Sequence, residues 1–147
     1  MSRRELALAN FQSGFNCAQS VLSAFSKDFG MDEALAMRLA GGFGGGMGRH
    51  GDTCGAVTGA LMVLGLRFAT TDPEDKQGKE DTYQLVRDFL GRFADRHGAL
   101  RCNDLLGVDI SVAEGLQQAR EEGKFKQRCP DFVGDAVEIL EDIIDRT

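Results

Sequence analysis

Apolar residues recur at helical spacing along most of the chain. Ala18, Val21, Leu22 and Phe25, for example, lie three or four positions apart, as on one face of an amphipathic helix. We find no convincing segment of strand-like alternation and no Asn-Gly turn that would predict a hairpin. The pattern therefore predicts an all-α fold of about six to eight helices.

Residues that favour helix ends predict where several of these helices begin. Asn16 precedes the second helix and is a good N-cap. Asp72 followed by Pro73 predicts the start of a long helix, because proline is favoured at the first helical position. By the same reasoning, Cys129 and Pro130 predict the start of the last helix, with Cys129 in the cap position.

A glycine-rich segment interrupts the helical pattern between residues 41 and 55. Eight of its fifteen residues are glycine, and it leads into an apolar stretch, Ala56 to Phe68, that predicts a central buried helix. Glycine loses more backbone freedom on folding than any other residue, so such a loop indicates left-handed turns or the close approach of another group. The positions expected to lie against a bound group are Gly44, Gly45, Gly46 and Gly55.

Three interpretations of this segment are open. It precedes a helix N-terminus, which is a natural anion site, but it lacks the Gly-Lys-Ser/Thr of a P-loop and no strand leads into it. A second interpretation is a tight loop that packs against neighbouring helices and binds nothing. In the third, its bare backbone N–H groups bond to sulfur or to a bound cluster.

Composition narrows the classes of function. The 147 residues are expected to form a single domain over residues 1–147, and 42% of them are hydrophobic, as in a folded globular protein. The net charge of −6 and the scattered lysines and arginines do not favour nucleic-acid binding. No apolar stretch is long enough to span a membrane, and no apolar region follows the basic N-terminus as in a signal peptide. We therefore expect a cytoplasmic protein that binds neither nucleic acid nor membrane.

The four cysteines, Cys17, Cys54, Cys102 and Cys129, carry most of the functional argument. Each is predicted to lie in or beside the first turn of a helix. There, unpaired N–H groups and the helix dipole stabilise a thiolate and lower the pKa of the thiol. Cys54 also has the most accessible backbone, because glycines surround it. We expect it to be the attacking thiolate, with one of the other three as its resolving partner.

Four converging thiolates would fit two kinds of chemistry. Cys17, Cys54, Cys102 and Cys129 could ligate zinc or an iron–sulfur cluster, although the gaps of 37, 48 and 27 residues include no Cys-x-x-Cys pair. They could instead exchange thiols and disulfides, which requires two cysteines with Cα atoms within about 7 Å. The contrasting interpretation is four inert cysteines that fill space in a core.

Several segments together resemble the C-GCAxxG-C-C family of redox-active proteins. They are the sequence around Cys17, the glycine run, Cys54-Gly-Ala-Val-Thr-Gly59, Cys102 before Leu-Leu-Gly107, and a late Cys129. The resemblance covers nearly the whole chain and implies a helical bacterial or archaeal protein. Its four cysteines would hold an iron–sulfur cluster or exchange electrons as thiols. A similar domain occurs in split-Soret cytochrome c, but this chain lacks the Cys-x-x-Cys-His that attaches haem c, so no haem is expected.

The sequence thus predicts a small redox protein that acts through its cysteines on an unidentified redox partner. Whether it is an enzyme is left open. The alternative is a binding or scaffold protein without chemistry. A homodimer is compatible with the long amphipathic helix but is not required by it.

Overall fold

The computed structural model describes residues 1–147 and contains eight α-helices and no strands. This confirms the predicted all-α fold. A 3-10 turn, Lys27–Phe29, follows the second helix. The helices are α1 (Arg3–Gln12), α2 (Cys17–Ser26), α3 (Glu33–Leu39), α4 (Gly55–Phe68), α5 (Lys76–His97), α6 (Cys102–Leu106), α7 (Ala113–Glu121) and α8 (Lys124–Arg146).

The core lies where α2, α4, α5 and α8 meet. Helix α4 follows the glycine-rich segment and packs on the other three, as predicted for a central buried helix. Its contact with α2 is the most extensive between any two helices. The predicted apolar face of the last helix is also confirmed, since residues from Phe132 to Ile143 on that face are buried.

Two glycines on α4 allow it to approach α2 closely. A Cβ atom added at Gly59 would lie 2.8 Å from the carbonyl oxygen of Ala18, and one at Gly55 would lie 3.1 Å from the Cβ of Cys17. Real Cβ atoms essentially never come within 3.0 Å of such neighbours. The sequence Gly55-x-x-x-Gly59 is therefore a helix-packing feature, in which small residues let two backbones come together.

The N-cap predicted at Asn16 is confirmed. Its side chain accepts a hydrogen bond from the Gln19 N–H at 2.8 Å, and the Gln19 side chain accepts one from the Asn16 N–H at 2.9 Å. This is a reciprocal capping box. The remaining polar atoms of the two side chains donate to the carbonyl oxygens of Met37, Ala40 and Gly41. The start of α2 therefore also fixes the entrance to the glycine-rich segment.

Two predicted helix starts are wrong. Helix α5 begins at Lys76 and is capped by Asp75, because Asp72 instead accepts a hydrogen bond from the Glu74 N–H in a turn before the helix. Helix α8 begins at Lys124, after Gly123 in a left-handed conformation, so that Cys129 and Pro130 lie inside it. None of the helices is both long enough and apolar enough to cross a membrane.

Candidate functional site

All four cysteines line a single cavity of about 910 Å³. Each side chain is buried and none forms a disulfide. The cavity lies between the start of α2, the glycine-rich segment, α6 and the first half of α8. Cys17, Cys54, Cys102 and Cys129 are 37, 48 and 27 residues apart in sequence, so it is the tertiary fold that gathers them.

Cys17 and Cys54 come together because α2 and α4 approach each other at their N-termini. Cys17 is the first residue of α2, after the Asn16 cap, and Cys54 is itself the N-cap of α4. Gly55 and Gly59 remove the side chains that would hold the two helices apart. The Cys17 thiol lies close enough to the thiols of Cys54 and Cys129 for its pKa to be shifted by both.

A short antiparallel bridge places Cys102 beside Cys54. The Cys54 N–H donates to the carbonyl of Leu100 at 2.8 Å, and the Cys102 N–H donates to the carbonyl of Asp52 at 2.6 Å. Thr53 and Arg101 are the paired residues of this bridge. It joins the end of the glycine-rich segment to the start of α6, so neither cysteine moves independently of the other.

Cys129 reaches the cavity from the interior of α8, contrary to the sequence-based prediction that it caps a helix. The helix is anchored near its start by Lys124, whose ammonium donates to the carbonyl of Leu106 at 2.8 Å. Pro130 follows Cys129 and has no N–H, so the carbonyl of Lys126 lacks its usual intrahelical partner. Cys129 therefore receives no stabilisation from a helix N-terminus.

The thiols of Cys17, Cys54 and Cys102 differ in acidity, which corrects the expectation that a helix start would lower the pKa of each. Hydrogen bonding from the Cys17 thiol is the largest cause that lowers the pKa of Cys54, and the backbone N–H groups of Ala56 and Val57 act in the same direction. Burial opposes these effects without cancelling them. Cys54 is thus the thiol that most readily becomes a thiolate.

Cys17 is the complementary partner of this pair. Hydrogen bonds to Cys129 and Cys54, followed by burial, hold the pKa of Cys17 well above the ordinary value of a thiol. Burial, together with the charges of Cys54 and Cys129, raises the pKa of Cys102 to about 12. As the pH rises, Cys54 therefore loses its proton before Cys17, which is the proton donor of the pair.

The glycine-rich segment contains a left-handed turn. Five consecutive residues, Gly45 to Arg49, have φ angles between 60° and 69°, including the non-glycine residues Met47 and Arg49. Left-handed backbone costs roughly 1–2 kcal/mol for each residue with a side chain, which explains why glycine dominates here. In this turn the carbonyls of residues 43 to 47 all accept hydrogen bonds from later N–H groups.

The same turn leaves several N–H groups without protein acceptors. The amides of Gly44, Gly45, Gly46 and Gly48 donate to neither backbone nor side chains, and all four residues line the cysteine cavity. Gly46 is buried, and buried N–H groups without a partner are rare in folded proteins. These groups are therefore available to an acceptor in the cavity.

Gly55 also lines the cavity, but the close packing of α4 against α2 accounts for it without a ligand. A Cβ at Gly55 would lie 3.0 Å from the Ala18 nitrogen and 3.1 Å from the Phe43 carbonyl oxygen. No group of three or more His, Cys, Asp and Glu side chains has an arrangement ready to hold a metal ion.

Three cations, Arg49, Arg120 and Lys126, contribute to the lining of the cavity, and they come from the left-handed turn, α7 and α8. Arg49 and Lys126 are close in sequence to Cys54 and Cys129, and this proximity is visible from the sequence alone. Arg120 belongs to no cysteine-containing segment, so sequence analysis did not identify it.

Comparison with known proteins agrees with this description of the site. Searches of the curated proteins and of the solved structures gave no significant match to this chain. A family profile described as "Putative redox-active protein (C_GCAxxG_C_C)" matches residues 15–143, which include all four cysteines and the glycine-rich segment. The chain therefore belongs to the C_GCAxxG_C_C family of redox-active proteins.

Proposed function

We propose that the protein is a thiol–disulfide redox protein in which Cys54 and Cys17 form the reacting pair. The observation that carries this proposal is that the starts of α2 and α4 bring Cys17 and Cys54 to one cavity, where their pKa values are shifted in opposite directions. A nucleophilic thiolate and a protonated resolving thiol in contact are the two components that the exchange requires. We expect residues 1–147 to act as one domain, in the reducing cytoplasm, with a separate redox partner.

The reaction would proceed in two displacements. The Cys54 thiolate attacks one sulfur of a substrate disulfide, forms a mixed disulfide and releases the other half as a thiolate. Cys17 then transfers its proton to that thiolate and attacks the Cys54 sulfur, which expels the second half of the substrate. Two electrons pass from the protein to the substrate, whose second half leaves as a thiolate and takes a proton from solvent, while Cys17 and Cys54 become a disulfide.

The remaining cysteines have different expected roles. Cys129 lines the same cavity and contributes to the raised pKa of Cys17, so it is the alternative partner for Cys17. Cys102 stays protonated at neutral pH because its pKa is raised to about 12, and a neutral thiol is a poor nucleophile. We therefore expect Cys102 to take no direct part in the exchange.

Single substitutions test this assignment. Reduced protein would be treated with one equivalent of a small disulfide, and the remaining thiols would be counted. Wild type and Cys102→Ser should each lose two thiols per chain without retaining the reagent. Cys17→Ser should instead trap the reagent on Cys54 as a stable mixed disulfide, and Cys54→Ser should react slowly. Equal reactivity of Cys54→Ser and wild type would contradict the proposal.

A second candidate is an iron–sulfur or zinc site on the four cysteines. It is supported by the convergence of four sulfurs on one cavity together with the free N–H groups of the glycine-rich segment, since N–H donors to sulfur tune such clusters. When bound, a cluster would supply one-electron transfer, whereas zinc would be structural or act as a Lewis acid. The holding residues would be Cys17, Cys54, Cys102 and Cys129.

Elemental analysis separates the two candidates. Protein purified without oxygen and without added metal should contain far less than one iron or zinc per chain if thiol exchange is the function. Near-stoichiometric iron with acid-labile sulfide would favour the cluster. Stoichiometric zinc would favour a structural or Lewis-acid site. If the protein contains neither metal, and its thiols do not react, the result would favour inert cysteines in a binding or scaffold protein.

A further inference from the structure

The cysteine cavity has a charge opposite to that of the whole chain. The protein carries a net charge of −6, yet the residues that line the cavity include three cations and no aspartate or glutamate. The cations are Arg49, Arg120 and Lys126, and none of them forms an ion pair with a carboxylate within 4.0 Å. All three side chains belong to exposed residues.

Some arginines outside the cavity do form ion pairs. Arg92 pairs with Asp88 and Asp142, and Arg96 pairs with Asp135 and Glu138. Because the cavity lining contains three cations and no carboxylate, it forms a local region of positive charge on an acidic chain. Converging charges of one sign in a cleft raise the local concentration of ligands of the opposite sign.

The free N–H groups of the glycine-rich segment add to this feature. The amides of Gly44, Gly45, Gly46 and Gly48 line the same cavity and have no acceptor in the protein. Successive free N–H groups in a turn favour anionic oxygen, in the same way as a guanidinium or an ammonium does. Both kinds of donor therefore select an anion, and Arg120 and Lys126 reach the cavity from α7 and α8 rather than from the glycine-rich segment.

The size and composition of the cavity point to a small molecule. About 910 Å³ lies at the upper end of the range for small-molecule sites. Phe11, Phe15 and Phe125 contribute apolar surface to its lining, so the ligand would combine apolar and anionic parts. Cys17 and Cys54 line the same cavity.

We infer that the cavity binds an anionic low-molecular-weight thiol or disulfide, with carboxylates held by Arg49, Arg120, Lys126 and the free N–H groups while its sulfur lies against Cys54. This inference names the substrate class and rests on the proposed thiol–disulfide function. The chemistry is the two-step exchange given above. The anionic disulfide accepts two electrons from the protein, one proton from Cys17 and one proton from solvent to give two anionic thiols, and the protein is left with a Cys17–Cys54 disulfide.

The kinetic test compares disulfides that differ in charge. Reduced protein would be mixed with glutathione disulfide, which is anionic, with neutral bis(2-hydroxyethyl) disulfide, and with cationic cystamine. Each rate constant would be divided by the rate constant for the reaction of the same disulfide with free cysteine. This division corrects for the intrinsic reactivity of the disulfide. The normalised rate should fall in the order anionic, neutral, cationic. The difference should shrink as salt is added, because the attraction is screened.

Substitution of the cations should remove this preference. The triple variant Arg49→Gln, Arg120→Gln, Lys126→Gln should react with glutathione disulfide about tenfold more slowly than wild type. Its thermal unfolding midpoint should match that of wild type, which shows that the variant is folded, and the ratio of its rate with glutathione disulfide to its rate with the neutral disulfide should fall. Arg38→Gln is the matched control, because Arg38 is an exposed arginine without an ion pair that does not line the cavity.

Binding of S-methylglutathione, which cannot exchange, tests the cavity independently of the cysteine chemistry. Wild type and Cys54→Ser should bind it with similar affinity by titration calorimetry, and the triple variant should bind it about tenfold more weakly. Equal binding by the triple variant, or equal normalised rates for all three disulfides, would overturn this inference and leave the proposed function standing. Binding of S-methylglutathione without reaction with any disulfide would overturn the proposed function and retain the anion site.

Discussion

At the scale of single residues, four identical side chains have been given different chemical properties by their surroundings. Cys54 is an N-cap with a thiol donor beside it, whereas Cys102 lies at the start of a helix of only five residues. Helix starts were predictable from the sequence at Cys17, Cys54 and Cys102. The pKa differences were not, because they depend on which cysteine donates a hydrogen bond to which.

The pH dependence of alkylation tests the role of Cys17 as that donor. Because the pKa of Cys54 is lowered, the rate at which iodoacetamide alkylates it should show a pH inflection below about 8.5, the ordinary pKa of a thiol. Cys17→Ala removes the donor and should move the inflection upward. Cys17→Ser retains an O–H donor and should leave it closer to wild type. An unchanged inflection in Cys17→Ala would exclude Cys17 as the cause.

The raised pKa of Cys102 predicts that the protein loses stability at alkaline pH. Its pKa is about 12 in the folded protein and about 8.5 when unfolded, so the unfolded chain loses the proton first as pH rises. The free energy of unfolding should therefore decrease as the pH rises from about 8.5 to about 12, and Cys102 should not affect it at lower pH. Urea unfolding at several pH values should show a shallower alkaline decline for Cys102→Ala than for wild type. Parallel curves would contradict the raised pKa.

At the scale of elements, the pairing of α2 with α4 sets the geometry of the reacting thiols. The sequence predicted both helices, the Asn16 cap and the burial of α4. It did not reveal that Gly55 and Gly59 are spaced one helical turn apart so that α4 can contact Ala18. That information lies in the partner helix, more than 35 residues away in sequence, so only the folded chain shows it.

Two glycines on the same helix provide a matched test of this packing. A Cβ at Gly59 would lie 2.8 Å from the Ala18 carbonyl oxygen, whereas nothing lies within 4 Å of one at Gly65. Gly59→Ala should destabilise the protein by about 1–3 kcal/mol and slow disulfide formation, because it pushes α4 away from α2. Gly65→Ala should stabilise it by about 0.5–1 kcal/mol through helix propensity. Thermal and urea unfolding measure both effects.

Helix starts were the least predictable local feature. Asp72-Pro73 and Cys129-Pro130 both have the composition of a helix N-terminus, yet one lies in a turn and the other inside α8. In the first case, the Asp72 carboxylate accepts a hydrogen bond from the Glu74 N–H, and this local turn competes with helix formation. In the second case, α8 begins earlier because Gly123 adopts a left-handed conformation and the Lys124 ammonium donates a hydrogen bond to the Leu106 carbonyl.

At the scale of the whole molecule, the fold places thiols, free N–H groups and cations around one cavity. The thiols and the glycine-rich segment were recognisable from the sequence, because their composition is unusual. The convergence of the cations was not, because Arg49, Arg120 and Lys126 resemble the other basic residues until the helices are packed. The net charge of −6 for the whole chain gave no indication of a positively charged cavity.

The central claim is that Cys17 and Cys54 are the redox pair, and disulfide mapping tests it most directly. Metal-free reduced protein would be oxidised by one equivalent of glutathione disulfide, digested at low pH and examined by mass spectrometry. The account predicts the loss of two hydrogen atoms per chain and a single cross-linked peptide that joins Cys17 to Cys54, reversible with dithiothreitol. A disulfide that leaves out Cys54, or four thiols that remain unmodified, would contradict it.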